Sequence, residues 1–232
     1  MTAVFDVPRY LSVLPLFAGM PAADVQRICA DGVAVQRLDR GGMLLHAGEA
    51  CDAVYQVVTG HVKLYTIASH GAEKVFELVG PGQSIGDTLV FTQQAHALSA
   101  QALTESLLLR LPAAALTAQV RRDPAFALRL LAGASQRIQG LLRDVESYCL
   151  HSGARRVVGY LLEQGGGKAG SGAEPITVSL PVSKATIAAR LSLTPEYFSR
   201  VLRELEDEGL IEICRRDIRI MQPRRLAHYT LQ

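Results

Sequence analysis

The spacing of apolar side chains changes character along this chain, and each change predicts a different kind of structure. Val25 and Ile28 lie three apart behind Pro21, which predicts a short amphipathic helix over residues 21–30, since positions three apart share a helix face. From Gly32 to Leu111 the pattern shortens to β-rich runs: Val33-Ala34-Val35, Val54 to Val58, Val62 to Tyr65 and Val75 to Val79. Glycines at 42, 48, 60, 71, 80, 82 and 86 punctuate them. Glycine at this frequency interrupts any helix before its third turn, so the stretch predicts an antiparallel sandwich or roll.

Asp123-Pro124 then opens a long helix, with Asp123 as N-cap and Pro124 in the first turn. Leu131, Ala134, Ile138, Leu141, Val145 and Tyr148 advance by alternating steps of three and four, the spacing of a heptad seam. Arg129, Arg137, Arg143 and Glu146 fall largely outside it. A two-stranded coiled coil between two copies of the chain follows; a helix packed on its own domain has the same periodicity.

A third texture begins after the glycine-rich stretch Gly165–Ala173, which lacks the G-K-[ST] ending of a phosphate-cradling loop. Ser183 caps a short helix, Lys184 to Arg190, with Ile187 and Ala188 inward, and Leu191-Ser192-Leu193 makes a turn. Thr194 caps a second helix that starts at Pro195 and stops at Gly209. Its apolar stripe is Phe198, Val201, Leu202 and Leu205, which leaves Glu196, Ser199, Arg200 and Arg203 on the other face. Two short helices joined by a tight turn, with polar groups at the start of the second, predict a helix-turn-helix that enters the major groove. Leu210 to Cys214 and Ile218 to Ile220 alternate about Arg215-Arg216-Asp217, a hairpin wing. The expected fold is therefore α+β: a β-roll sensor over 1–122, a dimerisation helix over 123–150 and a winged helix-turn-helix over 151–232.

These elements suggest a chemistry. A carboxylate accepts from cytosine N4, and an arginine fork donates twice to guanine O6 and N7. Glu196 and Arg200 stand one turn apart on the exposed face, where an intrahelical salt bridge is the alternative to base reading. Ser183, Lys184, Thr194, Arg203, Arg215 and Arg216 are placed to hold DNA phosphates. Charge agrees: the net charge is +2 overall, yet twelve Lys/Arg face nine Asp/Glu from residue 151 onward, so the basic excess belongs to the C-terminal third.

At 232 residues, 49% hydrophobic and 20% charged, the chain suits two globular domains. No basic-then-apolar leader opens it and no apolar run nears a membrane span, so a cytoplasmic location without membrane partner is expected. Cys29, Cys51, Cys149 and Cys214 are too scattered for a C-x-x-C site and are expected as mostly buried free thiols. No G-x-S-x-G, H-E-x-x-H, Walker or paired-carboxylate motif occurs, so no enzymatic role is expected.

With these residues in hand, the chain from about Leu11 to Leu226 resembles the Crp/Fnr superfamily of bacterial transcription regulators. Gly48-Glu49, Asp52, Tyr55, Gly60, Val62-Lys63, Gly71, Pro81-Gly82 and Gly86 are similar to its cyclic-nucleotide-binding fold. Glu196-Tyr197-Phe198-Ser199-Arg200 looks like the E-x-x-S-R motif of the Fnr-type branch. The resemblance implies a homodimer on double-stranded DNA at a palindrome near TTGAT-N4-ATCAA, read by Glu196, Ser199 and Arg200. Half-site centres would lie roughly 34 Å apart, and RNA polymerase would be a partner of an activator.

Cyclic AMP binders of this fold carry a Glu after the glycine and an Arg-Ser pair further on; Asp87 and Ala97-Leu98 stand here. A buried cyclic phosphate would lack its cation, so no cyclic AMP site is expected. No cysteine precedes Cys29, so no N-terminal iron–sulfur cluster is expected either. His61–Tyr65, Glu73–Glu77 and Pro195–Arg200 are similar to the dissimilatory nitrate respiration regulators. That likeness implies nitric oxide sensed through haem, with His46, His61, His70, His96 and His151 as axial candidates and an effector pocket at Leu64, Phe76, Ile85, Gly86 and Asp87. Another small-molecule or redox signal, or a ligand-binding module without specific DNA readout, are the alternatives.

Overall fold

The computed structural model describes residues 5–69, 71, 73–92, 94–166 and 175–229. The chain opens with α1 (Val7–Ser12), a 3-10 turn (Pro15–Phe17) and α2 (Ala22–Ala30). Strands follow: β1 (Ala34–Leu38), β2 (Met43–Leu45), β3 (Ala53–Thr59), β4 (Val62–Ile67), β5 (Glu73–Val79), β6 (Ser84–Ile85), β7 (Ser99–Ala102) and β8 (Ser106–Pro112). Helices α3 (Ala113–Arg122), α4 (Pro124–Leu150) and α5 (Gly153–Gln164) lead to β9 (Ile176–Ser179), α6 (Lys184–Arg190) and α7 (Pro195–Asp207). The wing strands β10 (Ile211–Cys214) and β11 (Asp217–Ile220) precede α8 (Pro223–Ala227). Two compact units result: Met1–Thr66 with Phe76–Gly140, and Ile67–Val75 with Leu141–Gln232.

The first unit carries two four-stranded sheets, ordered β1-β8-β3-β6 and β2-β7-β4-β5. Both faces of β3 are covered, which is why Val54 to Val58 reads as an apolar run and not as an alternation. Val57 joins Leu45, Val62, Leu64, Val79, Ile85, Ala100 and Leu108 between the sheets. Val54 and Val58 turn the other way, onto Leu11, Phe17, Ile28, Leu116 and Phe126 from the flanking helices. Each fully buried side chain of this size contributes about 1.5–3 kcal/mol. At the turn after β6, Gly86 has φ +88°, and a Cβ there would lie 3.0 Å from the Ala53 carbonyl and 3.2 Å from Cys51 Sγ. Only glycine fits both the backbone and the space.

In the second unit α5 buries Ala154, Val157, Val158 and Leu161. The wing is a three-stranded sheet, β10-β11-β9; β9, whose Val178 pairs with Ile218, went unpredicted, as did α3 and α5. The two-residue wing turn places Arg215 at φ +59°.

Several expectations need correction. Leu131, Ile138, Leu141 and Val145 are exposed and Ala134 is half-buried, in keeping with a seam, and Leu128 and Leu142 are exposed with them. Tyr148 differs from the other seam positions: it is half-buried within its own chain, because its ring and hydroxyl are held by cationic partners described below. The five effector-pocket residues do not line one space. Leu64 and Ile85 belong to the core between the sheets, whereas Phe76 is 44% exposed, on the opposite face of β5 from the buried Val75. Cys149 and Cys214 are exposed, not buried; all four thiols are free.

Candidate DNA-reading site

The helix-turn-helix is assembled from capped, two-faced helices. Ser183 Oγ accepts from Thr186 N at 3.1 Å to start α6, and Thr194 Oγ1 accepts from Tyr197 N at 3.2 Å to start α7. Between them Ser192 turns the chain at φ 56°. Glycine 209, at φ +66°, ends α7: its N–H donates to Glu206 O and that of Leu210 to Leu205 O, the paired bonds of a Schellman stop. Phe198, Val201, Leu202 and Leu205 are at most 1% exposed, so the orientation of α7 is set by one completely buried face.

The opposite face is available to a ligand. Glu196, Arg200 and Arg203 are exposed and Ser199 is half-buried. The helix N-terminus and its unpaired N–H groups favour phosphate beside them. Arg200, 64% exposed, pairs forward with Glu204 (Nε to Oε1, 3.7 Å) rather than back with Glu196 as the spacing had suggested. Glu196 lies in the first turn, where the helix N-terminus favours its charge. The Arg200 guanidinium also lies 4.8 Å from the centre of the Tyr197 ring. Ser183, Thr194, Arg203, Arg215 and Arg216 are exposed and Lys184 half-buried; the Ser183 and Thr194 hydroxyls are at the same time occupied as caps.

A second cluster in this unit was not foreseen. Arg190, at the end of α6, donates through Nη2 to Asp144 (2.6 Å) and through Nη1 to the Tyr148 hydroxyl (2.5 Å). That hydroxyl donates in turn to the Arg190 carbonyl. Lys74 Nζ reaches the carbonyls of Ala189 (3.4 Å) and Arg190 (3.1 Å), the Tyr148 hydroxyl (3.3 Å) and Ser192 Oγ (2.5 Å). Arg156 Nε donates to the Leu191 carbonyl at 2.9 Å. These cations satisfy the orphan carbonyls of a helix C-terminus. Burial, then the positive charges of Arg190 and Arg156, press the Lys74 pKa down to about 8 against the opposing pull of Asp144. Burial raises the Tyr148 phenol. Nothing in local spacing pairs residues 74, 144, 148 and 190, so no sequence signal could have found this cluster.

In the first unit, Arg137 of α4 donates to Glu77 (2.5 Å), Asp87 (3.1 Å) and the Ser84 carbonyl (3.2 Å), while Ser84 Oγ donates to Asp87 at 3.0 Å. Among the axial candidates, His46 and His151 are exposed. His96 is 6% exposed, with Cε1 lying 3.4 Å from where a Gly86 Cβ would sit. Burial lowers its pKa against the pull of Glu49 and Asp52. Burial also lowers that of His61, which stands beside Gly80. His70 lies outside the described residues. No group of three or more His, Cys, Asp or Glu among the described residues could hold a metal ion, and no described helix is long and apolar enough to cross a membrane.

Comparison with known proteins agrees with this geometry. The chain matches the cyclic nucleotide-binding domain over residues 35–123 and the Crp-like helix-turn-helix domain over residues 155–229. The nitrogen fixation regulation protein FixK of Rhizobium meliloti (strain 1021) is 30% identical over 184 residues, which span 77% of this chain and 79% of that protein. The crystal structure of DNR from Pseudomonas aeruginosa is 30% identical with a TM-score of 0.51, covering 98% of this chain and 100% of that one. FixK2 from Bradyrhizobium japonicum shares the fold, with a TM-score of 0.75 at 23% identity over 85% of this chain and 96% of that one. With a cyclic nucleotide-binding domain and a Crp-like helix-turn-helix domain in one sequence, and a relative 30% identical over most of both chains that is a regulator, the chain belongs to the Crp/Fnr family of DNA-binding transcription regulators.

Proposed function

We propose that two copies of this regulator join through the exposed apolar face of α4 and read a palindrome near TTGAT-N4-ATCAA, with Glu196, Ser199 and Arg200 contacting base edges. The observation that carries the reading is the division of α7 into a wholly buried face, Phe198, Val201, Leu202 and Leu205, and a polar face presented by the first two turns. Four exposed large side chains at heptad spacing, Leu131, Ile138, Leu141 and Val145, supply the doubling that a palindrome requires. Wing arginines 215 and 216 neutralise phosphate without reading sequence. Competition between this palindrome and scrambled duplex at fixed salt tests it. Discrimination of ~10³-fold or more is expected; less than tenfold would instead favour a signalling module without specific readout.

The signal acts, in this reading, where Arg137 ties α4 to Glu77 and Asp87, since a ligand that competes for either carboxylate shifts α4 relative to the β-roll. A second reading of the signal is nitric oxide sensed through haem held by one of the five candidate histidines, of which His46 and His151 are exposed, His61 is half-buried and His96 is 6% exposed. A Soret band on the haem-reconstituted protein that responds to nitric oxide would support that effector; no such band would leave the Arg137 coupling to another signal.

A further inference from the structure

The exposed arginine of α7 is not a free-swinging side chain. Its guanidinium rests over the ring of Tyr197, one turn earlier, at 4.8 Å from the centroid, and its Nε lies 3.7 Å from Glu204 Oε1. The ring itself is fixed from behind. Gly153, the first residue of α5, has no side chain at a position where a Cβ would lie 2.7 Å from Tyr197 Cε1 and 3.1 Å from Cζ, and 2.9 Å from Leu193 Cδ2. Gly153 is not among the residues with positive φ, so its backbone conformation is open to any residue. Space, not backbone freedom, requires the glycine there.

We infer that Tyr197 is a positioning residue for sequence readout: seated in the notch left by Gly153, its ring holds the Arg200 guanidinium in a plane from which it can make two bonds to a guanine edge. The inference rests on the proposed role of Arg200. A bidentate arginine needs its fork plane fixed, and a long side chain otherwise loses rotamer freedom on binding. A cation over an aromatic face restricts it in advance, at a strength equivalent to about two- to fivefold in an equilibrium. Tyr197 makes this contribution without reading a base.

The test uses the full-length dimer and compares duplexes carrying TTGAT-N4-ATCAA or the same site with the guanine replaced in both half-sites. Tyr197→Leu keeps apolar bulk in the notch and removes the ring face; it is expected to lower the ratio of the two affinities by about two- to fivefold per half-site. Binding to scrambled duplex, and its salt dependence, should stay at the wild-type level. Tyr197→Phe should restore the wild-type ratio, because the ring face remains. Gly153→Ala, outside the reading helix, should lower the ratio in the same direction by displacing the ring. An unchanged ratio for Tyr197→Leu, or an equal loss on all duplexes, would overturn the inference. Arg200→Ala is measured alongside: if it leaves the guanine preference intact, base reading by Arg200 itself fails, a result separable from a failure of Tyr197 alone.

Discussion

Two arginines ten positions apart stand in opposite surroundings in the helix-turn-helix. Arg190 closes α6 with its side chain 19% exposed and bonded to Asp144 and Tyr148. Arg200, on α7, is 64% exposed, with one long ion pair and one aromatic neighbour. Burial opposes the Arg190 charge, yet Tyr148 and Asp144 more than offset it, so its pKa is raised. The contrast shows how one residue type is either closed off or presented: an enclosed guanidinium turns its fork toward its own chain, whereas an exposed one keeps most of its fork available.

The sharpest way to break the comparison is to remove the enclosed arginine. Arg190→Ala removes the cation held by the Asp144 carboxylate and one of the bonds to the Tyr148 hydroxyl, and about 1–3 kcal/mol of stability should be lost in denaturant unfolding. A change under ~0.5 kcal/mol would mean that the cluster is ornamental to folding. Arg200→Ala should do the reverse, leaving unfolding within ~0.5 kcal/mol of wild type while operator binding loses ~1–3 kcal/mol and the guanine preference relaxes.

Lys74 offers a pH-dependent version of the same contrast. Its pKa falls on folding from 10.5 to about 8, so between those values the unfolded chain binds more protons than the folded one. Stability must then rise with pH across that window. Thermal melts of wild type and Lys74→Met from pH 7 to 10 should show the wild type gaining on the variant; parallel curves would remove Lys74 from the cluster. The smallest effect is expected at the wing. Arg216→Ala should weaken every duplex alike and reduce the salt slope by about 1, and a base-dependent loss there would undo its assignment to phosphate.

The helix-turn-helix was legible because its signals are local. Ser183, Thr194 and Gly209 mark ends through bonds within four residues of themselves, Pro195 does so through its fixed φ in the first turn, and the stripe of α7 follows from 3.6-residue periodicity. Strand β9 escaped notice because four residues bordering a glycine-rich stretch have too few positions to show a period. The surroundings of Tyr148 were illegible for a related reason. Heptad spacing assigns it to the seam, but its phenol found Arg190 and Lys74, 42 and 74 positions away in sequence. The Arg200 partner was also missed, since spacing alone permits Glu196 and Glu204 equally.

By itself the sequence determined where α6 and α7 begin and end, which of their faces are apolar and that the basic excess collects in the C-terminal third, because caps, periodicity and charge act over a few residues. Tertiary structure alone decided which arginine is enclosed, which carboxylates hold Arg137, and that Gly153 leaves room for the Tyr197 ring. Those outcomes depend on distances between segments remote in the chain, and such distances exist only once the core has packed.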